Sequence, residues 1–107
     1  MRKFHHIGIP TENIEYKNVY YKKIKGYATP FKDSEYGVEW VKFLKESHLP
    51  DLVKNKVHIA FEIDSFEEEL KGKKILVQPY DTGEGFAHAF IEHFGIAVEL
   101  MLFTDNK

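Results

Sequence analysis

A short pattern of His, Ile and a small residue occurs twice, half a chain apart, and it limits the possible folds more than any other feature. The first copy is His5-His6-Ile7-Gly8-Ile9 and the second is Val57-His58-Ile59-Ala60-Phe61. A pattern repeated within only 107 residues indicates two similar units built face to face. The sequence therefore predicts that a histidine from each copy meets the other at the axis that the units share.

Composition limits the classes of partner. An apolar content of 43% is enough for one packed domain, which we expect to span residues 1–107. The net charge of −2, with Lys and Glu interleaved, provides no field that would gather nucleic acid or an anionic membrane. The chain has no cysteine, which excludes disulfides and thiolate metal sites. No apolar leader or membrane-length segment is visible, so we expect a cytoplasmic protein.

The first half reads as strand, helix and two strands. The predicted elements are a strand over residues 3–9, a helix over about 12–25, and strands over 27–32 and 38–44. The helix is predicted from Thr11 as its N-cap, an apolar stripe that includes Tyr16 and Tyr20, and Gly26 as its end. Residues 45–56 have the composition of a connector, in which a short edge strand is an alternative.

The second half reads in the same order. A strand over residues 57–63 precedes a two-turn helix that begins after Ser65 and ends at Gly72. A strand over 74–78, a glycine-bearing loop over 79–85 and a hairpin of strands 86–92 and 96–103 complete the chain. This order predicts an α+β fold in which each unit lays one helix across a small antiparallel or mixed sheet.

Side-chain alternation brings three polar groups to one face of the sheet. If Ile7 and Ile9 face the first helix, Phe4, His6 and Gly8 point the other way, while His5 packs beside the helix. The same alternation turns His58 and Glu99 away from the helices. Three strands, each taken by itself, thus place His, His and Glu on the same face.

A carboxylate in the apolar run around Glu99 requires a partner, because burying it alone costs several kcal/mol, roughly. A single strand histidine is usually just hydrogen-bonded or at the surface. Together, however, His6, His58 and Glu99 form a ligand set for a divalent first-row metal with positions open for water or substrate. The sequence therefore predicts a catalytic rather than a closed structural site.

At these residues the chain resembles the vicinal oxygen chelate superfamily, which includes glyoxalases, bleomycin-resistance proteins and extradiol dioxygenases. The resemblance rests on the two His-Ile patterns and on Glu99-Leu100, and in order and spacing it covers nearly the whole chain. It implies two tandem βαβββ modules, about residues 1–53 and 54–107, whose curled sheets form a cleft. It also implies one divalent metal, Fe, Ni, Co, Mn or Zn, held by His6, His58 and Glu99.

The resemblance leaves the fourth ligand open. Glyoxalases usually carry a fourth ligand on the last strand of the first module, where this chain is abbreviated. Glu39 is one candidate, although the alternation of its strand is ambiguous. His88 is another, because pairing of residue 88 with residue 99 would place it beside Glu99. The pocket wall is predicted to include Phe4, Phe90, Met101 and Phe103, with Phe86 as a further candidate and the loop 79–85 closing over the pocket.

The predicted function is a metal-dependent lyase or isomerase of the glyoxalase type. Its small substrate would bind through two neighbouring oxygens, and an enediolate-like charge would form as a proton leaves carbon. Glu99, or Glu39, would move that proton. The alternatives are an extradiol-type dioxygenase, a non-catalytic protein that binds an antibiotic-type molecule, and a domain that serves assembly or regulation. A homodimer is expected, with the modules paired within one chain or exchanged between two.

Overall fold

The strands form one mixed sheet in the computed structural model, which describes residues 2–14, 18–30 and 34–104. In these residues the strands are β1 (Arg2–Pro10), β2 (Val19–Tyr21), β3 (Gly26–Ala28), β4 (Val38–Phe43), β5 (His58–Ile63), β6 (Lys74–Asp81), β7 (Phe86–His93) and β8 (Ile96–Phe103). The helices are α1 (Asp51–Asn55) and α2 (Phe66–Leu70). The predicted α+β class is confirmed.

The two strands that carry the repeated pattern lie at the centre of the sheet. The strand order is β2-β3-β4-β1-β5-β8-β7-β6, with β1 and β5 antiparallel to each other. On one side β4 runs parallel to β1, and on the other β8 runs parallel to β5. The remaining neighbours are antiparallel. The polar side chains of the four central strands therefore lie close together.

The sheet curls until its two edges approach each other. Strands β2 and β6 are at opposite ends of the strand order. Nevertheless Lys23 Nζ, in the turn after β2, donates a hydrogen bond to the backbone carbonyl of Asp81, at the end of β6, over 2.7 Å. One side-chain hydrogen bond therefore joins the two edges across the concave face, which remains partly open.

The helix predicted over residues 12–25 is wrong in the described part of the chain. Residues 19–21 form β2, and residues 22–25 form a turn in which Lys25 takes a positive φ of 51°. Tyr20 faces Tyr27 across the β2-β3 hairpin with ring centroids 5.0 Å apart. A run of Val and two Tyr residues favours a strand once it can pair, and this tertiary pairing overrides the helical spacing. Residues 15–17, which include Tyr16 of the predicted stripe, lie outside the described residues.

A helix forms instead in the predicted connector. Residues 51–55 form α1, where an edge strand was the alternative. Buried Leu49 and Val53 pack against Phe90 and Ala97, so α1 covers the concave face at one end. This packing explains why a segment rich in turn residues is ordered.

The second half follows the prediction closely. The Ser65 side chain accepts a hydrogen bond from the backbone N–H of Glu68 and so caps α2. This helix packs on the convex face against Ile63, Ile91, Val98 and Leu100. Strand β6 is longer than predicted and takes in residues 79–81, so the loop before β7 shortens to residues 82–85.

A bulge in β1 changes the predicted alternation. Phe4 pairs with Phe61 and His6 with Ala60, so His5 is an extra residue between two consecutive partners. Phe4 therefore lies on the convex side, 49% exposed and in edge contact with Phe61. The bulge frees His5 to turn toward the concave face.

No helix in the described residues is long and apolar enough to cross a membrane.

Candidate metal centre

The four central strands direct polar side chains into one cavity on the concave face. The cavity has a volume of about 320 Å³, and its wall includes His6 from β1, Glu39 from β4, His58 from β5 and Glu99 from β8. Sequence alternation placed three of these side chains together correctly. The direction of Glu39, which the sequence left open, is now fixed toward the cavity.

Three of the four side chains form a compact donor group. One ligand atom from each of His6, His58 and Glu99 lies within 4.8 Å of the others, and all three residues are buried. His58 Nε2 is 3.2 Å from Glu99 Oε1, and His6 Nε2 is 3.6 Å from the same oxygen. Glu39 Oε1 lies 3.2 Å from His6 Nε2. A single atom could thus contact several donors at once.

These separations suit a first-row metal ion. Ligand atoms that each lie about 2.0–2.2 Å from one metal ion are roughly 3.0–3.5 Å apart at right or tetrahedral angles. Within the described residues, the buried Nε2 atom of His58 has Glu99 Oε1 at 3.2 Å but lacks the geometry of a regular hydrogen bond. A buried nitrogen without a hydrogen bond is rare and indicates a missing partner. The group could therefore hold a metal ion.

Strand register gives the two carboxylates equivalent positions. Gly8 pairs with Glu39 in β4 and with His58 in β5. Ala60 pairs in the same way with Glu99 in β8 and with His6 in β1. Each of these two small residues thus lies between a histidine and a carboxylate. The small residue of each repeated pattern leaves room for the polar groups on either side.

Gly8 has a steric reason to lack a side chain. A β-carbon at this position would overlap the imidazole ring of His58, with Nε2 at 2.6 Å. Real β-carbons do not come so close to other heavy atoms, so a larger residue would move the ring. The first copy of the pattern therefore positions the histidine of the second copy.

His88 contacts the other oxygen of Glu99. Its Nδ1 atom is 2.7 Å from Glu99 Oε2, and its ring is buried. The predicted pairing of residue 88 with residue 99 is not the observed one, because His88 pairs with Met101 and Phe90 pairs with Glu99. A register difference of two residues preserves the face, so His88 still lies diagonally beside Glu99.

His5 is a site residue that the sequence reading missed. Its Nδ1 atom is 2.8 Å from His6 Nδ1, and its ring packs on Phe103 with centroids 5.5 Å apart. Regular alternation would place adjacent histidines on opposite faces, and only the bulge brings both to the cavity. The prediction that His5 packs beside a helix is therefore wrong. It could not be avoided, because a bulge has no clear signal in a single sequence.

The donor group shifts the pKa values of its members. Burial alone would raise the pKa of Glu99, but contacts with His58 and His88 outweigh it and hold that pKa well below its ordinary value. Burial would lower the pKa of His6, but its hydrogen bond with Glu39 and the charges of Glu39 and Glu99 raise it overall. Glu99 is therefore a carboxylate at neutral pH, able to bind a cation.

The cavity wall is mainly aromatic and apolar away from the donor group. Phe90, Met101 and Phe103 line it as predicted, and so does Phe86. Phe4 does not, and the bulge at His5 is the reason for this correction. The β2-β3 hairpin supplies Tyr21 and Lys23 to the wall. These two residues were not predicted to line the pocket, because the sequence places them in a helix over residues 12–25.

Comparisons with known proteins support the fold alone. No protein-family model and no curated protein matches the chain. Among solved structures, it is similar to the crystal structure of hypothetical protein BH1468 from Bacillus halodurans C-125, at 19% identity and a TM-score of 0.71. The match covers 99% of this chain and 97% of that chain. The curled, mixed sheet therefore has a counterpart of the same extent in another protein.

Proposed function

We propose that this protein is a divalent-metal-dependent lyase or isomerase of the vicinal oxygen chelate type. The single observation that carries the proposal is the convergence of His6, His58 and Glu99 at the wall of a partly open cavity. A cavity of about 320 Å³ has room for a small molecule beside the donor group. The substrate would present two neighbouring oxygens to the metal.

Glu39 is the fourth ligand in this proposal. Its carboxylate contacts His6, and it occupies beside Gly8 the position that Glu99 occupies beside Ala60. This matched register also supports a layout of two modules, about residues 1–53 and 54–107, paired within one chain. The first module would be an abbreviated one, because its two outermost strands, β2 and β3, have only three residues each.

Bound metal would stabilise the negative charge that develops on the substrate oxygens when a proton leaves the neighbouring carbon. The chain itself must move that proton. Glu99 is nearly inaccessible and lies against three histidines, whereas the Glu39 side chain is 18% exposed. We therefore assign proton transfer to Glu39, which would give up its ligand position to accept the proton, rather than to Glu99, which stays in place as a ligand.

The remaining wall would orient the substrate and exclude water. Phe90, Met101 and Phe103 present an apolar surface, against which electrostatic interactions are stronger than in water. The hydrogen bond from Lys23 to Asp81 joins the two edges of the curled sheet beside the same cavity, whose open side would admit the substrate.

An extradiol-type dioxygenase is the second candidate. The observation that favours it is that Glu39 lies outside the group of three donors within 4.8 Å of one another. Two histidines and one carboxylate, with the other metal positions open, form the facial triad of non-haem iron oxygenases. A cavity that only binds a small molecule is the non-catalytic alternative.

Assembly as a homodimer is part of the proposal. Tyr20 and Trp40 on the convex face of the first half are 44% and 38% exposed, and Phe4 is 49% exposed. A second copy of the chain could cover such a surface. Sedimentation equilibrium would show a mass twice that of the chain if this is right.

The test is metal analysis of protein purified without a His-tag, followed by titration with Fe, Ni, Co, Mn and Zn. We expect one metal ion per chain, and its loss in His6→Ala, His58→Ala and Glu99→Ala. The exposed His93 provides the matched control, because His93→Ala should retain the metal. Loaded protein would then be screened with thiol adducts of dicarbonyls, with epimerase substrates and with catechols.

A wild-type protein that binds none of the five metals would overturn the proposal in favour of the binding protein. Turnover of catechols with iron, without turnover of the dicarbonyl adducts or the epimerase substrates, would favour the dioxygenase.

A further inference from the structure

The two carboxylate oxygens of Glu99 contact different residues. Oε1 faces the rings of His6 and His58, at 3.6 and 3.2 Å, whereas Oε2 lies 2.7 Å from His88 Nδ1. His88 is not among the side chains whose ligand atoms cluster within 4.8 Å. His88 therefore contacts the donor group only at the Glu99 oxygen that faces away from His6 and His58.

The short contact fixes the proton on the His88 ring. A carboxylate has only acceptor oxygens, so the imidazole must donate, and the hydrogen is on Nδ1. The Nε2 atom is then unprotonated when the ring is neutral, and it is buried without a hydrogen bond in the described part of the chain. Nδ1, the nitrogen that contacts Glu99, thus carries a hydrogen and has no lone pair with which to bind a metal.

Three aromatic rings hold His88 in this orientation. Tyr80, Phe90 and Phe86 lie with ring centroids 4.8, 5.0 and 5.8 Å from that of His88, all in edge contacts. Rotation that would turn Nε2 toward the donor group has to displace this packing. The ring is therefore a rigid support.

We propose that His88 is a positioning residue that holds Glu99 with one oxygen, Oε1, presented to the metal, and that it is not a ligand itself. This inference rests on the proposed metal site. Partners of this kind orient the ligands of many metal sites, and their loss typically weakens metal affinity by about 10–100-fold. His88 thus sets the geometry of the carboxylate ligand without contacting the ion.

The test compares His88→Asn with His88→Leu. Asn and Leu have nearly the same shape, but only Asn can place an N–H close to the position of Nδ1. The affinity for Co²⁺ would be measured by competition with a chromophoric chelator, and the visible absorption of bound Co²⁺ would report the ligand set. His93→Leu makes a related change at the exposed end of the same strand and serves as the control.

We expect His88→Leu to weaken Co²⁺ binding by roughly 10–100-fold, and His88→Asn to restore most of it with unchanged absorption bands. Equal losses in both variants, with an altered spectrum in His88→Asn, would show that His88 is a ligand. Unchanged affinity in His88→Leu would show that it has no role. Wild-type protein that binds no Co²⁺ overturns the proposed function together with this inference.

A second measurement needs no metal. Long-range ¹H–¹⁵N spectra of the metal-free protein should show His88 as the Nδ1–H tautomer, the less common one in water. Hydrogen on Nε2 instead would overturn the inference even if every variant failed to fold.

Discussion

The imidazole ring of His58 occupies the space that a side chain at position 8 would need, so Gly8 and His58 depend on each other. We expect Gly8→Ala to displace this ring and to weaken metal binding nearly as much as His58→Ala does. Overpacking of this kind also lowers the free energy of unfolding by about 1–3 kcal/mol. Metal titration and urea denaturation would measure both effects.

The control for this substitution is Ala60→Gly, at the position that pairs with His6 and Glu99. It should cost about 0.5–1 kcal/mol of stability through backbone entropy while leaving metal affinity nearly unchanged. Full metal affinity in Gly8→Ala would mean that the His58 ring can move without loss of the site.

His5 should support His6 as His88 supports Glu99. If His6 binds metal through Nε2, its Nδ1 carries a hydrogen and His5 Nδ1 accepts it over 2.8 Å. His5→Phe preserves a ring against Phe103 but removes the acceptor, so we expect metal affinity to fall by about tenfold. Calorimetric titration would detect this change, and an unaffected His5→Phe would remove His5 from the site.

The ion pair between His6 and Glu39 should make the metal-free protein sensitive to pH. Burial lowers the pKa of His6, but Glu39 and Glu99 raise it above the ordinary 6.5. The folded state therefore binds this proton more tightly than the unfolded chain does. The resulting stability is fully present below pH 6.5 and is lost as pH rises through the raised pKa.

NMR titration of the His6 ring would measure this pKa directly. Glu39→Gln removes the carboxylate that raises it, so the pKa of His6 should fall in this variant. An equal or higher pKa in Glu39→Gln would contradict the assignment of Glu39 as its main partner. Proton competition also predicts that metal affinity decreases as the pH is lowered through the same range.

The β7-β8 hairpin contains a residue that suits its turn poorly. Phe94 and Gly95 form the two-residue turn with φ of 48° and 90°, and Phe94 is 94% exposed. Positive φ at both positions favours Asn-Gly, so Phe94→Asn should raise the free energy of unfolding by up to about 1 kcal/mol. Phe94→Val should lower it, because β-branched residues disfavour this conformation. Thermal unfolding of both variants would test the assignment.

Much of the site could be predicted because side-chain alternation in a regular strand is strict. His58 and Glu99 lie in strands β5 and β8, for which no irregularity interrupts their mutual pairing. His6 was placed on the correct face because the two residues after it, Ile7 and Gly8, also pair regularly with β5. The alternation failed only on the other side of the bulge, at Phe4 and His5.

The rest of the fold depended on tertiary contacts that one sequence does not reveal. Residues 19–21 have helical spacing with the residues around them, yet they form a strand because β3 is available to pair. Residues 51–55 look like a connector, yet buried Val53 packs them onto the concave face as a helix. Such short segments have little intrinsic preference for helix or strand, so their secondary structure is determined by the elements that they pack against.

The four central strands also determine how an ion would leave. β4, β1, β5 and β8 each have hydrogen-bonded neighbours on both sides, and they carry Glu39, His6, His58 and Glu99 respectively. Segments paired on both sides open mainly through cooperative unfolding of the surrounding sheet, whereas loops and edges open locally. The spacing of the donor atoms would therefore last as long as the sheet itself, and an ion that leaves through the open side of the cavity would leave an intact site behind.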